Sequence, residues 1–157
     1  MKLIFTSLGK THDPYIKTGV NEFTKRLSRN YKTEWNIISP PKNAGSLGET
    51  ELKKKESELI LGPLDRDAFL VVLDEQGKQM SSVQLANFIQ DRANESIKQL
   101  VFLIGGAYGL DPSVLKRADL LWSLSTLTFP HQLVRLILAE QIYRAVSILR
   151  NEKYHHE

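Results

Sequence analysis

Cysteine is absent from the chain, which removes disulfides, thiolate zinc sites, iron–sulfur clusters and cysteine nucleophiles together. A reducing cytoplasm is the simplest address for such a chain. No apolar stretch approaches the roughly 20 residues of a membrane-spanning helix. The opening run Met1-Lys2-Leu3-Ile4-Phe5 turns polar at Thr6 and Ser7, too early for the apolar segment of a signal peptide. The four histidines (His12, His131, His155, His156) show no H-E-x-x-H spacing, so neither a metal nor a membrane partner is expected. No G-x-S-x-G elbow occurs, which disfavours a serine hydrolase. Charge of one sign is also scarce: 21 basic against 18 acidic residues leave a formal net charge of +3. That excess permits a polyanionic partner such as RNA without demanding one.

What remains is a chain of 157 residues, 41% hydrophobic, long enough for a single domain with its own core. Strand-length apolar runs alternate with helical patterns. Leu3–Phe5, Trp35–Ile38, Phe69–Leu73, Leu100–Ile104 and Leu120–Leu124 read as strands, and the third and fourth are continuously apolar, as strands covered on both faces are. Ile16, Val20, Phe23 and Leu27 form one helical face after Asp13-Pro14, an N-cap followed by proline. Glu49–Leu61 is a charged helix closed by Gly62-Pro63. Ser81 and Gln84 have capping-box spacing before a helix with Leu85, Ala86 and Ile89 on its core face. Asp111-Pro112 opens a short helix to about Arg117, and Pro130–Arg150 is a long final one. The expected fold class is therefore α/β, a parallel doubly wound sheet with helices on both faces.

Two phosphate motifs fail on spacing. Gly9-Lys10-Thr11 resembles the end of a P-loop, but Ile4 stands where its first glycine is required. Gly105-Gly106-Ala107-Tyr108-Gly109 does not match the dinucleotide fingerprint. Three strand ends are nevertheless suggestive. Gly105-Gly106 closes an apolar strand and allows a ligand close to the backbone, although a glycine turn before Asp111 would read the same. Leu73 can offer a main-chain contact and Asp74 or Glu75 can accept bonds from a ribose or an amino acid, in what also reads as a polar turn. Leu124-Ser125-Thr126-Leu127-Thr128-Phe129-Pro130-His131-Gln132 brings hydroxyls and free N–H groups to a helix N-terminus, where capping by Thr128 is the plainer alternative. All three could converge on one pocket.

The final helix is too apolar for a surface helix, with 12 apolar residues among the 17 from Leu133 to Leu149. One face should pack on the sheet and another on something else, most simply a second copy of the chain. Glu140 and Arg144 have favourable i, i+4 spacing, and His131 and Arg135 share a face at the pocket end. Lys17, Lys25, Arg26, Arg29 and Lys32 cluster on and just after the first helix, as a solvated face or an RNA contact.

The sequence resembles the RlmH family of SPOUT-class RNA methyltransferases, the ribosomal RNA large-subunit methyltransferases H. The resemblance lies in Lys2–Lys10, Leu73–Lys78, Phe102–Leu110, Leu124–Gln132, Glu140–Ala145 and the tail Arg150–His156, and it spans essentially the whole chain. It implies a SPOUT-type parallel sheet with a C-terminal trefoil knot that binds S-adenosylmethionine, and a homodimer with the site near its interface. The implied cofactor positions are Leu73, Gly105 and Leu124, Ser125, Thr126, Leu127, Thr128 and Phe129. The implied reaction methylates N3 of a pseudouridine in 23S ribosomal RNA, at the subunit interface of the assembled ribosome. N3 must lose a proton, so His131 or His155 is expected near the target base, Arg135 or Arg144 near developing negative charge, and Tyr154 stacked on a base. The length leaves no room for a separate RNA-binding domain, so residues 1–157 are expected to form a single SPOUT domain. A dimeric ribosome-associated binding module, or the same chemistry on another RNA, are the alternatives.

Overall fold

The computed structural model describes all 157 residues. Its centre is a five-stranded sheet in the order β2-β1-β4-β3-β5, with every pairing parallel. The strands are β1 (Lys2–Leu8), β2 (Lys32–Ile38), β3 (Phe69–Gln79), β4 (Gln99–Ile104) and β5 (Leu120–Ser123). The helices are α1 (Pro14–Leu27), α2 (Glu49–Leu61), α3 (Ser82–Asn94), α4 (Pro112–Arg117) and α5 (His131–Leu149), with a 3₁₀ turn at Ala44–Ser46. No helix is long and apolar enough to cross a membrane.

Strand alternation divides the core in two. Leu3, Phe5, Val71, Leu100 and Phe102 face α1, α3 and α5, where Leu27, Leu85, Ile89, Leu138 and Ile142 complete one buried cluster. Ile4, Leu70, Val72, Val101 and Leu103 face the other way, against Ile60 of α2 and Val114 of α4. The register sets Phe5 between Trp35 and Phe102. Their rings lie 4.8 and 5.8 Å from that of Phe5, in the offset and tilted geometries aromatic pairs prefer. Burial on both faces explains why β3 and β4 begin as unbroken apolar runs.

Tertiary contacts moved several boundaries. β1 and β2 extend beyond Leu3–Phe5 and Trp35–Ile38 because they pair residue for residue from Lys2/Lys32 to Leu8/Ile38. β5 stops at Ser123, so Leu124 belongs to the following loop. Asp74–Gly77, open to reading as a ligand-facing strand end or as a polar turn, is an irregular stretch inside β3: the register with β5 shifts between Leu73 and Lys78, and the Asp74 carboxylate accepts the Gln76 N–H at 2.8 Å. The Ser81–Gln84 capping box forms as expected, and Asp111 accepts the Ser113 N–H. Asp13 holds the N-cap position of α1 without capping it. Its carboxylate lies 3.6 Å from Lys10 Nζ, and its own N–H donates to Gln132 Oε1 at 3.0 Å.

The apolar surplus of α5 is absorbed largely within the chain. α5 lies against both α1 and α3, and Leu138, Ala139, Ile142, Ala145 and Val146 are buried there. Leu133, Leu136 and Ile137 stay half-buried.

Asp119 ties β5 to β3 ahead of the site. Its carboxylate accepts the Leu70 N–H at 2.8 Å and Arg117 Nη1 at 3.0 Å, while its N–H donates to the Leu70 carbonyl. Asp119→Ala leaves the Leu70 N–H and the guanidinium without this partner, so urea unfolding should show a loss of about 1–2 kcal/mol. An unchanged midpoint would mean the carboxylate does not hold the strand.

Candidate active site

The carboxyl ends of β3, β4 and β5 open onto one cavity of about 670 Å³, within the usual range for small-molecule sites. β3 contributes Leu73 and the irregular segment Asp74–Gln76, β4 contributes Ile104 and the loop from Gly105, and α5 contributes His131 and Val134. Of the residues expected here, Leu73, Gly105, Leu124, Ser125, Leu127, Thr128 and Phe129 line the cavity, whereas Thr126 does not. The Ser/Thr loop is wound by its own hydroxyls: Ser123 Oγ donates to the Ser125 carbonyl at 2.9 Å, and Ser125 Oγ accepts the Leu127 N–H at 3.0 Å. Thr128 does not cap α5. Pro130 occupies that position and no side chain bonds the first turn, which leaves N–H groups at this helix end uncapped. Leu110, Trp122 and Val134 supply apolar wall that strand-end reasoning missed, because they come from positions read only as core or as loop.

A side chain on Gly105 would start 2.9 Å from Leu110 Cγ. Growth there forces Leu110, itself a lining residue, to shift.

Beside the cavity, His131 and Arg135 meet the end of β1. His131 Nε2 lies 3.1 Å from Ser7 Oγ and 3.2 Å from Arg135 Nη2. Arg135 Nη1 reaches His12 Nδ1 at 3.2 Å, and Nη2 donates to the Leu8 carbonyl at 3.5 Å. Gly9 turns the chain over this group with φ of 118°, a conformation L residues rarely adopt; its missing Cβ would sit 3.6 Å from Arg135 Nη2. Arg135 is 0% exposed. Of the pair, His131 is the one that lines the cavity. His12 was not singled out in the sequence; its only local signal was proximity to the Asp13-Pro14 helix start.

Tyr154 and His155 lie elsewhere. Asn151 adopts a left-handed conformation (φ 54°), and N–H groups of Asn151 and Glu152 donate to the Ile148 and Ser147 carbonyls, a Schellman motif that turns the tail back along α5. Tyr154 Oη then donates to Glu140 Oε1 at 3.0 Å, the same oxygen that accepts Arg144 Nε and Nη2 at 3.0 and 2.6 Å. Arg144 Nη1 lies 3.3 Å from His155 Nδ1, and its guanidinium stands 4.9 Å from the centroid of the Tyr154 ring. The five expected catalytic residues thus form two groups. His131 and Arg135 begin α5; Arg144, Tyr154 and His155 gather near its end. Arg135 and Arg144 are nine residues apart, about 14 Å along the axis.

Electrostatics follow burial. Desolvation first, and then the Arg135 charge, hold both His131 and His12 below the ordinary value of 6.5. Burial and the bond to Glu140 push the Tyr154 phenol up. No group of three or more His, Asp or Glu side chains converges as a metal cage.

The two histidines bind protons less readily folded than unfolded, so the unfolded state takes up more protons as pH falls below 6.5. The melting temperature should therefore drop from pH ~7.5 to ~5.5, and His12→Gln with His131→Asn should flatten that slope. Circular-dichroism melts across that range measure it. An identical slope in the double variant would contradict the assignment.

Comparison with known proteins places this geometry. Residues 1–155 match the family described as "Predicted SPOUT methyltransferase". A ribosomal RNA large subunit methyltransferase H of Flavobacterium johnsoniae is 44% identical over 157 residues, covering 100% of both chains. A protein of the same name from Acetivibrio thermocellus is 42% identical over 158 aligned positions, covering 99% of each. A crystal structure of a probable methyltransferase from Bordetella pertussis shares the fold at a TM-score of 0.55 and 10% identity, covering 92% of this chain and 96% of that one. The chain belongs to the SPOUT methyltransferase family and, within it, to the ribosomal RNA large-subunit methyltransferases H.

Proposed function

We propose that this chain transfers the methyl group of S-adenosylmethionine to N3 of a pseudouridine in 23S ribosomal RNA, on the assembled ribosome in the cytoplasm. The observation that carries this reading is the convergence of three parallel strand ends on one cavity in a chain whose relatives are named as large-subunit ribosomal RNA methyltransferases. Family membership also brings with it the expected trefoil knot, which strand order alone does not display.

The residues fit the cofactor. Leu110, Trp122 and Val134 offer apolar wall for an adenine. Asp74 and Glu75 offer carboxylates for ribose hydroxyls or an ammonium group, and Gly105 leaves the backbone open. Leu73 and the run Leu124, Ser125, Leu127, Thr128 and Phe129 would hold it from the other sides; Thr126 would shape the loop from outside. When bound, S-adenosylmethionine supplies an electrophilic methyl on a sulfonium whose C–S bond breaks with the electron pair left on sulfur.

The chain's own task is to align a base with that methyl and to stabilise charge as N3 loses its proton. The groups suited to a base and to its negative charge, Arg144, Tyr154 and His155, lie at the far end of α5 from the cavity of their own chain. A homodimer that sets the tail of one protomer against the cavity of the other would complete the site. RNA recognition would then rest on this single domain, its partner and the ribosome, with Lys17, Lys25, Arg26 and Arg29 on the α1 side supplying phosphate contacts.

Two variants test the division. Gly105→Val should weaken S-adenosylmethionine binding at least tenfold by calorimetry, since the new side chain clashes with Leu110 in the cavity wall and fills the backbone opening. Deletion of Tyr154–Glu157 should leave cofactor affinity within about threefold and abolish methyl transfer to ribosomes. Full activity of the truncated chain would remove the tail from the substrate site. Failure of the intact chain to bind S-adenosylmethionine would leave only a ribosome-binding role.

A further inference from the structure

Arg135 settles which proton His131 carries. A guanidinium has donors and no acceptor. A hydrogen bond from Arg135 Nη2, 3.2 Å from His131 Nε2, requires the lone pair of that nitrogen. The neutral ring then keeps its proton on Nδ1. The Ser7 hydroxyl lies 3.1 Å from the same Nε2. His12 is fixed in the same way from the other arm of the guanidinium, accepting at Nδ1 and keeping its proton on Nε2.

We infer that His131 serves the cavity as a hydrogen-bond donor through Nδ1–H and not as the base that removes the substrate proton, with Arg135 and His12 as positioning residues that lock this tautomer. The inference rests on the methyltransferase reading above and assigns a role within it. His131 lines the cavity, and its Nε2 is committed to Arg135 and Ser7, so Nδ1–H is the polar group it has left to give. A donor matches an imino nitrogen that becomes an anion with charge spread onto its flanking carbonyl oxygens. The N3 proton passes to water, and the N3 electron pair forms the new N–C bond; no further co-reactant is needed. His155 is pinned by the same logic, since Arg144 Nη1 faces its Nδ1 at 3.3 Å. Both ends of the proposed composite site are then built from donors.

The surroundings keep the ring neutral. The charged and titratable groups about it are Arg135 on its own helix, His12 and Asp13 before α1, and Lys17 on α1, which acts on His12. Burial first and then the Arg135 charge oppose a second proton on His131, and together they outweigh the Leu8 backbone hydrogen bond, which favours it.

Nitrogen-15 spectra of the intact wild-type protein read the tautomer without substrate. His131 should show a protonated, pyrrole-type Nδ1 and a bare, pyridine-type Nε2 at pH ~8. A protonated Nε2, or titration at the ordinary value, would overturn the inference. Arg135→Lys removes the planar fork while retaining charge, and should let the Nε2–H form appear; an unaltered spectrum would clear Arg135 of the positioning role. Methyl transfer gives the second arm. Asparagine presents an N–H near the Nδ1 position but cannot act as a base, so His131→Asn should stay within tenfold of wild type while His131→Ala loses about 100-fold. Equal losses would overturn the donor role. Absence of methyl transfer by the wild type would instead sink the functional reading, a failure the spectra keep separate.

Discussion

A positive charge sits under the site with no carboxylate paired to it. Arg135 is fully buried, and its partners are the lone pairs of two histidines and the Leu8 carbonyl. Burying a charge costs several kcal/mol, and a hydrogen bond to a charged group returns about 1.5–3 kcal/mol. Three such contacts offset the burial only while both histidines stay neutral, because a second proton on either would set two cations side by side. The guanidinium therefore joins the end of β1, the segment before α1 and the start of α5, and dictates the protonation of everything it touches. Arg135 Nε has no partner at all, so little spare satisfaction remains in the arrangement.

The rest of the site depends on where this clamp places α5. The helix begins at the cavity, runs between α1 and α3, and ends at the Asn151 turn that brings Tyr154 back over Glu140. Glu140, at the middle of the helix, is the counterpart of Arg135: a carboxylate that collects Arg144, Tyr154 and Gln141. One rigid helix thus carries two polar centres, with the two arginines, Arg135 and Arg144, about two and a half turns apart. The separation of Arg144, Tyr154 and His155 from the cavity, not the apolar surplus of α5, is the stronger argument for a working dimer. Leu138 and Ile142 spend much of that surplus inside the chain.

The architecture was open to sequence reading because its signals are local. Unbroken runs such as Leu100–Ile104 declare two-sided burial, and Asp111-Pro112 and Ser81–Gln84 declare helix starts. The cavity was legible for the same reason, since strand ends in a parallel sheet share one edge. What escaped was decided at long range. Gln132 occupies the Asp13 N–H across 119 positions, and His12 meets Arg135 across 123. No spacing rule couples such pairs. The separation of His131 from His155 was equally invisible, because it depends on the direction the chain takes after Asn151.

The central claim is that the cavity of one protomer and the tail of the other make a single site. Mixing two defective chains tests it most directly: Gly105→Val, with its tail intact and assayed at a cofactor concentration too low to fill its weakened cavity, and the chain lacking Tyr154–Glu157, with its cavity intact. After subunit exchange, half of the dimers contain one of each, and each of these holds one complete site. Methyl transfer from S-adenosylmethionine to ribosomes should return to about a quarter of the wild-type rate. A mixture as inactive as its components, with exchange verified, would place cavity and tail within the same chain and contradict the account.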